Sequence, residues 1–231
     1  MFARSFRNKM KRKPVIAIDG PAGSGKSTIA KLVASSMGFH YIDTGAMYRA
    51  VTLKALRKGT DRKSEPALTE LAGSTSIGFE YGDGLKVFVD GEDVTEAIRL
   101  PEVSKASSDI ADSRGVRQAL VRKQQDMGAA GGVIMDGRDI GSVVFPDAEV
   151  KLYLDATVEE RAGRRHKELV AKGIKTDLSG VKRDIEERDA RDRNRPFGAL
   201  VKVKDAVTVD TTGLSIEQVA ARITGIIKEK L

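Results

Sequence analysis

The chain has 231 residues, 40% of them hydrophobic, and a formal charge of +7; that length fits one domain, or one domain carrying an inserted lobe, and supplies a core without covalent staples. It contains no cysteine and only two histidines, His40 and His166, which excludes disulfides, thiolate catalysis and cysteine-built metal centres and leaves little scope for an imidazole one. No apolar run approaches the roughly 20 residues of a membrane helix, so a bilayer-spanning protein is excluded too.

Residues 1–13 hold six basic side chains and no acid, so the remainder carries 34 basic against 33 acidic residues. The segment lacks the apolar stretch of a secretory leader. It reads as a disordered basic extension, with an organelle transit peptide as the alternative, and the folded unit is expected over 14–231. Val15 to Ile18 is a short β-branched run ending at Asp19-Gly20, a buried strand. A glycine-rich loop leads into a helix from Ser27 to Met37, stopped by Gly38. Residues 39–42 form a second strand, closed by Asp43-Thr44-Gly45, and 46–58 a second helix. This β-α-β-α order predicts a parallel sheet covered by helices. Residues 60–66 are polar, contain Pro66 and are expected to be loop. Ile77, Phe79 and Tyr81 alternate before Gly82-Asp83-Gly84, and Leu85, Val87 and Val89 after it, which predicts a β-hairpin. A parallel α/β domain has no need of one there, so about 66–107 is read as an insertion. A basic helix over 113–128, a strand at 133–135 running into Asp136-Gly137-Arg138-Asp139, and a strand at 150–155 follow. Charged helices at 157–172 and 178–194, a strand at 206–210 and an amphipathic helix from Ile216 to Lys230 complete the chain.

Gly20-Pro21-Ala22-Gly23-Ser24-Gly25-Lys26-Ser27 matches G-x-x-x-x-G-K-[ST]. Glycines let backbone N–H groups turn inward around an anion, and the helix behind them aims its positive end at the same place. Lys26 is expected to contact the β and γ phosphates of a nucleoside triphosphate, and the Ser27 hydroxyl to help hold Mg²⁺. The loop leaves a GTPase, a motor-type ATPase and a small-molecule kinase open. No N-K-x-D guanine reader occurs, and Asp136-Gly137-Arg138-Asp139 does not have the D-x-x-G form, although Asp136 could stand on the magnesium side. Arginines lie beside acids at strand ends instead: Asp43 to Arg49, and Asp136 to Asp139. Arg188, Asp192 and Arg195 share one helix face before Pro196, with Arg191 beside them. The segment reads as a lid, about 160–196, closing over transferring phosphates; a solvated helix laced with ion pairs is the plainer reading.

The stretches I-D-G-P-A-G-S-G-K-S-T, D-T-G-A-M-Y-R, D-G-R-D-I-G-S-V-V-F-P-D-A and E-R-D-x-R-D-x-N-R, in that order, resemble the bacterial cytidylate kinases from about Pro14 to the C-terminus. The resemblance implies a P-loop core with a nucleotide-binding insertion and a helical lid, and transfer of the ATP γ-phosphate to CMP or dCMP. It implies that Gly20, Pro21, Ala22, Gly23, Ser24, Gly25, Lys26, Ser27 and Thr28 hold the ATP phosphates. Thr44 and Tyr48 fall where the family lines the nucleotide pocket, and Arg49, Arg138 and Arg188 where it grips phosphate. Ser108, Arg117 and Asp139 fall where it reads cytosine, with Arg195 nearby, and Asp192 where it meets the sugar hydroxyls. Lys26, Arg138 and Arg188 are the expected catalytic cations. A cytoplasmic monomer acting on small nucleotides, with no specific nucleic acid or membrane partner, is expected.

Overall fold

The structure is a computed structural model and describes residues 12–82 and 84–231. The expected extension therefore lies almost wholly outside the described residues, as does Asp83 of the hairpin turn. Arg12 and Lys13 are already packed against the body: the Arg12 guanidinium donates to the Gly128 carbonyl at 3.2 Å, and Lys13 abuts Gly131 and Gly132.

Among the described residues, five parallel strands form one sheet in the order β2-β6-β1-β7-β8. These are β1 (Val15–Asp19), β2 (His40–Asp43), β6 (Val133–Gly137), β7 (Val150–Asp155) and β8 (Val207–Asp210). Period-two alternation sends successive β1 side chains to opposite faces. Val15 and Ala17 enter one core, with α2 (Thr44–Arg57), α3 (Glu65–Ser74) and α5 (Arg114–Gly128). Ile16 and Ile18 enter the other, under α1 (Lys26–Met37) and α8 (Ile216–Lys230). Burial on both faces explains why β1 and the start of β6 read as unbroken apolar runs.

The expected hairpin is β3 (Ile77–Tyr81) with β4 (Leu85–Val89), antiparallel, and β5 (Glu92–Asp93) adds a short third strand. It shares the main core: Ile77, Val87 and Val89 pack in the same cluster as Val15 and Met47. The Tyr81 hydroxyl donates to the Tyr41 carbonyl, which ties the hairpin to β2 at the sheet edge. Two helices escaped the sequence reading. Pro66, taken as part of a loop, sits in the first turn of α3, which Ser64 caps, and Pro101 likewise opens α4 (Pro101–Ile110). A first-turn proline gives up an N–H that has no helical partner anyway. The two charged helices are α6 (Val158–Ala171) and α7 (Leu178–Asn194). They carry a small cluster of their own, Ala162, Val181 and Ile185.

Candidate active site

The strand registers bring the chemistry to one edge. Asp19 pairs with Gly137 across β1 and β6, and Asp43 with Asp136 across β2 and β6. All four stand at carboxyl ends of parallel strands, where α/β sheets build their clefts. The phosphate loop leaves β1 there. Gly20 has φ 152°, and a Cβ on it would strike the Leu154 carbonyl, so only glycine fits. Lys26 opens α1 and is buried; its ammonium donates to the Pro21 carbonyl at 2.6 Å and to Ser24 Oγ at 3.2 Å. Burial and the nearby guanidinium of Arg138 pull Lys26 well below the ordinary lysine range.

Ser27 Oγ donates to Asp136 Oδ2 and the Tyr41 hydroxyl to Asp136 Oδ1, each at 2.7 Å. Burial, then the neighbouring Asp43, raises the Asp136 carboxyl above its usual value. Thr44 Oγ1 donates to the Asp136 carbonyl at 2.6 Å, which leaves only its lone pairs to face a ligand. Asp43 caps α2 by accepting from the Ala46 N–H at 2.8 Å and pairs with Arg49 at 3.2 Å. Among the described residues no group of three or more His, Asp or Glu side chains could hold a metal by itself. The hard oxygens of Ser27 and Asp136 do fit Mg²⁺, which keeps several waters and leans on substrate phosphates.

A second set of residues faces this edge. Arg138 Nε donates to Asp192 Oδ2 at 2.7 Å, and Arg195 Nη2 to Asp192 Oδ1 at 2.9 Å. Burial alone would raise Asp192, but Arg138, Arg188 and Arg195 override it and hold the carboxyl down at about 2. Arg117 Nη2 donates to Asp139 Oδ2 at 2.6 Å and to the Gly198 carbonyl at 3.1 Å. Among the described residues Arg117 Nε is buried with no partner, and its guanidinium lies 5.3 Å from the centre of the Tyr48 ring. Burial raises both Asp139 and the Tyr48 hydroxyl. Ser108, on α4, makes no hydrogen bond to this pair, although the Ala111 carbonyl three residues on accepts from Arg117 at 3.3 Å.

Arg188 stands apart. Among the described residues it has no ion pair and no hydrogen bond from its guanidinium. Its side chain is exposed; partial desolvation, and then Arg138, push it down to about 10. Lys26, Arg138 and Arg188 thus weigh on one another, and a charge cluster of this kind favours an anion among them.

Three residues at the site make contacts that nothing in the sequence signals. Arg161 and Asp189 form a buried ion pair of 2.7 Å on the phosphate loop. A Cβ on Gly198, whose φ is 68°, would fall on Asp139 and Arg117, so that carbonyl's approach requires glycine. Their partners lie far away along the chain; Asp189 falls inside the E-R-D-x-R-D-x-N-R stretch, but nothing there points to its partners, and no motif marks Arg161 or Gly198.

A parallel sheet that delivers a phosphate loop into a ring of arginines is the build of a P-loop phosphotransferase. A model described as cytidylate kinase matches residues 16–229. A cytidylate kinase of Pediococcus pentosaceus is 50% identical over 220 residues, covering 95% of this chain and 97% of that one. One from Enterococcus faecalis is 52% identical over 216 residues, 93% and 96% of the two chains. The chain belongs to the cytidylate kinase family. A crystal structure of an uncharacterized protein from Eubacterium ventriosum shares the fold alone, with a TM-score of 0.53, 12% identity, and 94% and 99% coverage.

Proposed function

We propose that this protein transfers the γ-phosphate of ATP to CMP or dCMP, giving CDP or dCDP and ADP. The observation that carries the reading is Arg188, a cation with no ion pair among the described residues, close to Arg138 and to Lys26 of the phosphate loop. The phosphate loop, Gly20 to Thr28, holds the donor phosphates through backbone N–H groups and Lys26. Ser27, with Asp136 behind it, is where Mg²⁺ would be held, and the ion would add charge neutralisation on the donor phosphates. Arg49, Arg138 and Arg188 grip the acceptor phosphate. A phosphate oxygen of CMP is already an anionic nucleophile, so no side chain has to remove a proton. Lys26 and the arginines neutralise the charge that spreads over the transferring group.

The base is read by opposed polarity. Cytosine offers an amine at N4 and acceptors at N3 and O2. Asp139 accepts from N4 and Arg117 donates to N3 or O2, while uracil would put a carbonyl against Asp139. Such a buried mismatch costs roughly 1–3 kcal/mol. Asp192 meets the sugar hydroxyls, Thr44 and Tyr48 line the pocket, and Ser108 and Arg195 complete its rim. The insertion, about 66–107, and the lid, about 160–196, act as jaws that exclude water. What supports this is contact just past the insertion's end: α7 meets α4, which starts inside the insertion, through Arg191–Asp109 at 3.3 Å, and Arg195 pairs with Asp112 at 3.0 Å. No described helix is long and apolar enough to cross a membrane, and we read the enzyme as a cytoplasmic monomer. A coupled ADP-release assay across AMP, CMP, dCMP, UMP and GMP tests the activity. CMP and dCMP are expected to lead by at least an order of magnitude. Equal turnover of UMP or AMP would remove the cytidine claim, and ATP turnover independent of any acceptor would remove the kinase claim.

A further inference from the structure

Ala22, in the middle of the phosphate loop, has both polar atoms of its backbone taken by the charged helices. Its N–H donates to Asp189 Oδ1 at 3.2 Å, and its carbonyl accepts from Arg161 Nη1 at 2.9 Å. Arg161 and Asp189 are joined to each other at 2.7 Å, and each is almost wholly buried. Arg161 Nε also donates to the Ala156 carbonyl at 3.0 Å, just past β7. The fit is close: a Cβ on Gly23 would come within 3.2 Å of the Arg161 side chain. We propose that Arg161 and Asp189 are positioning residues that latch α6 and α7 onto the donor-phosphate loop. They fix the Ala22 peptide, and through it the set of the loop's anion-binding amides. They also fix the register of α7, because Asp189 is the neighbour of Arg188 and lies one turn before Asp192.

The latch divides the lid. The base of α6 is held by Arg161 and by Arg164, which donates to the Thr211 carbonyl at 2.6 Å. The later half of α7 is held by Asp189, Asp192 and Arg195. Swinging that half away would strand an ion pair in the protein and leave the Ala22 N–H without a partner. What remains free to move is the tip of the helix pair, about residues 166–180, beyond the cluster of Ala162, Val181 and Ile185. The arginines that face phosphate are therefore already in register with the donor loop, and closure is a movement of the tip over them.

The proposal rests on the kinase reading for its purpose but not for its test. Amide hydrogen exchange on the full chain without nucleotide is expected to show Ala22 protected about 100-fold more than Gly23 and Gly25. It is expected to show the tip exchanging faster than residues 186–195. Ala22 exchanging as fast as Gly23 would overturn the latch, whatever the acceptor assay shows. Kinetics supply the second test. Asp189→Ala and Arg161→Lys are expected to raise KM for ATP about tenfold or more and to leave the ratio of kcat/KM for CMP over UMP unchanged. Asp189→Asn, which keeps an acceptor for Ala22, is expected to recover part of the loss. Folded variants with unaltered KM for ATP would overturn the latch, and unaltered kcat as well would show an ion pair that serves stability alone.

Discussion

Arg117 and Asp139 hold opposite charges 2.6 Å apart, in a place where each is almost sealed from solvent. Removing one charge outright would leave the other buried and alone, which is costly whatever the ligand. The informative change is therefore Asp139→Asn, which keeps size and shape but presents an amine as readily as a carbonyl. Preference for CMP over UMP, measured as the ratio of kcat/KM values, is expected to fall about tenfold or more; wild-type discrimination in this variant would unseat Asp139 as the reader of the exocyclic group. Gly198→Ala attacks the same pair from above. Its methyl group must displace either the carboxylate or the guanidinium, so kcat/KM for CMP should drop by at least about tenfold while turnover of ATP without acceptor stays at its base level. The contrast between these residues explains what could be read from the sequence. Asp139 lies in a run that follows a strand, so its place at the sheet edge was legible, while its expected role came from the family resemblance. Gly198, Arg161 and Asp189 act on partners up to 167 residues away, and no window of sequence contains both halves of such a contact.

The turn Ile140–Val144, a single π-helical turn after β6, carries Asp139 at its head. It is not held by its own hydrogen bonds alone. Both oxygens of Asp19, at the end of β1, accept from its first amides, Ile140 N–H at 2.9 Å and Gly141 N–H at 2.8 Å. One carboxylate thus sets the turn that follows Asp139 against the strand that launches the phosphate loop. Burial raises Asp19 to about 6, against an ordinary value of 3.8, even though those two amides pull the other way. The native state therefore binds this proton more tightly than the unfolded chain does. The associated stability is present below about pH 4 and is lost as pH rises toward 6, amounting to about 3 kcal/mol at most. The melting temperature of wild type relative to Asp19→Asn is expected to decline between pH 4.5 and 7, because the variant has no proton to lose there. A difference flat across that range would mean that Asp19 titrates normally. At this scale the parallel strands, α1 and the hairpin were legible because their periodicity is short and clean. α3 and α4 were not, since a proline at the first turn looks the same in sequence as one in a loop.

Taken as a whole, the molecule concentrates its charge problem in one place. The surplus of the full chain belongs to residues 1–13, and the remainder is close to neutral, yet Lys26, Arg138 and Arg188 are crowded at the head of the sheet with Arg49 close by. Asp192 offsets Arg138, and Asp43 offsets Arg49. Among the described residues Arg188 has no such partner; on the proposed reading it strains the free enzyme and serves when phosphate arrives. A site built for a highly charged transition state is expected to cost stability in this way. Replacing Arg188 by Met should then move two quantities in opposite directions. Turnover should fall by about 100-fold or more, in the range seen when one donor to a developing charge is lost, and should fall more than affinity for CMP does. The melting temperature of the nucleotide-free protein should rise. Because the side chain is exposed and water screens it, the gain is set at ~1 kcal/mol, or about 2–4 °C for a chain of this size. Bound ADP and CMP together should reverse the order, stabilising wild type more than Arg188→Met, since only wild type has a cation waiting for their phosphates. Thermal melts with and without the two nucleotides decide it: a variant less stable than wild type when empty, or an effect limited to CMP affinity, would mean that Arg188 is a packing residue or a simple substrate contact and not the unpaired charge on which transfer depends.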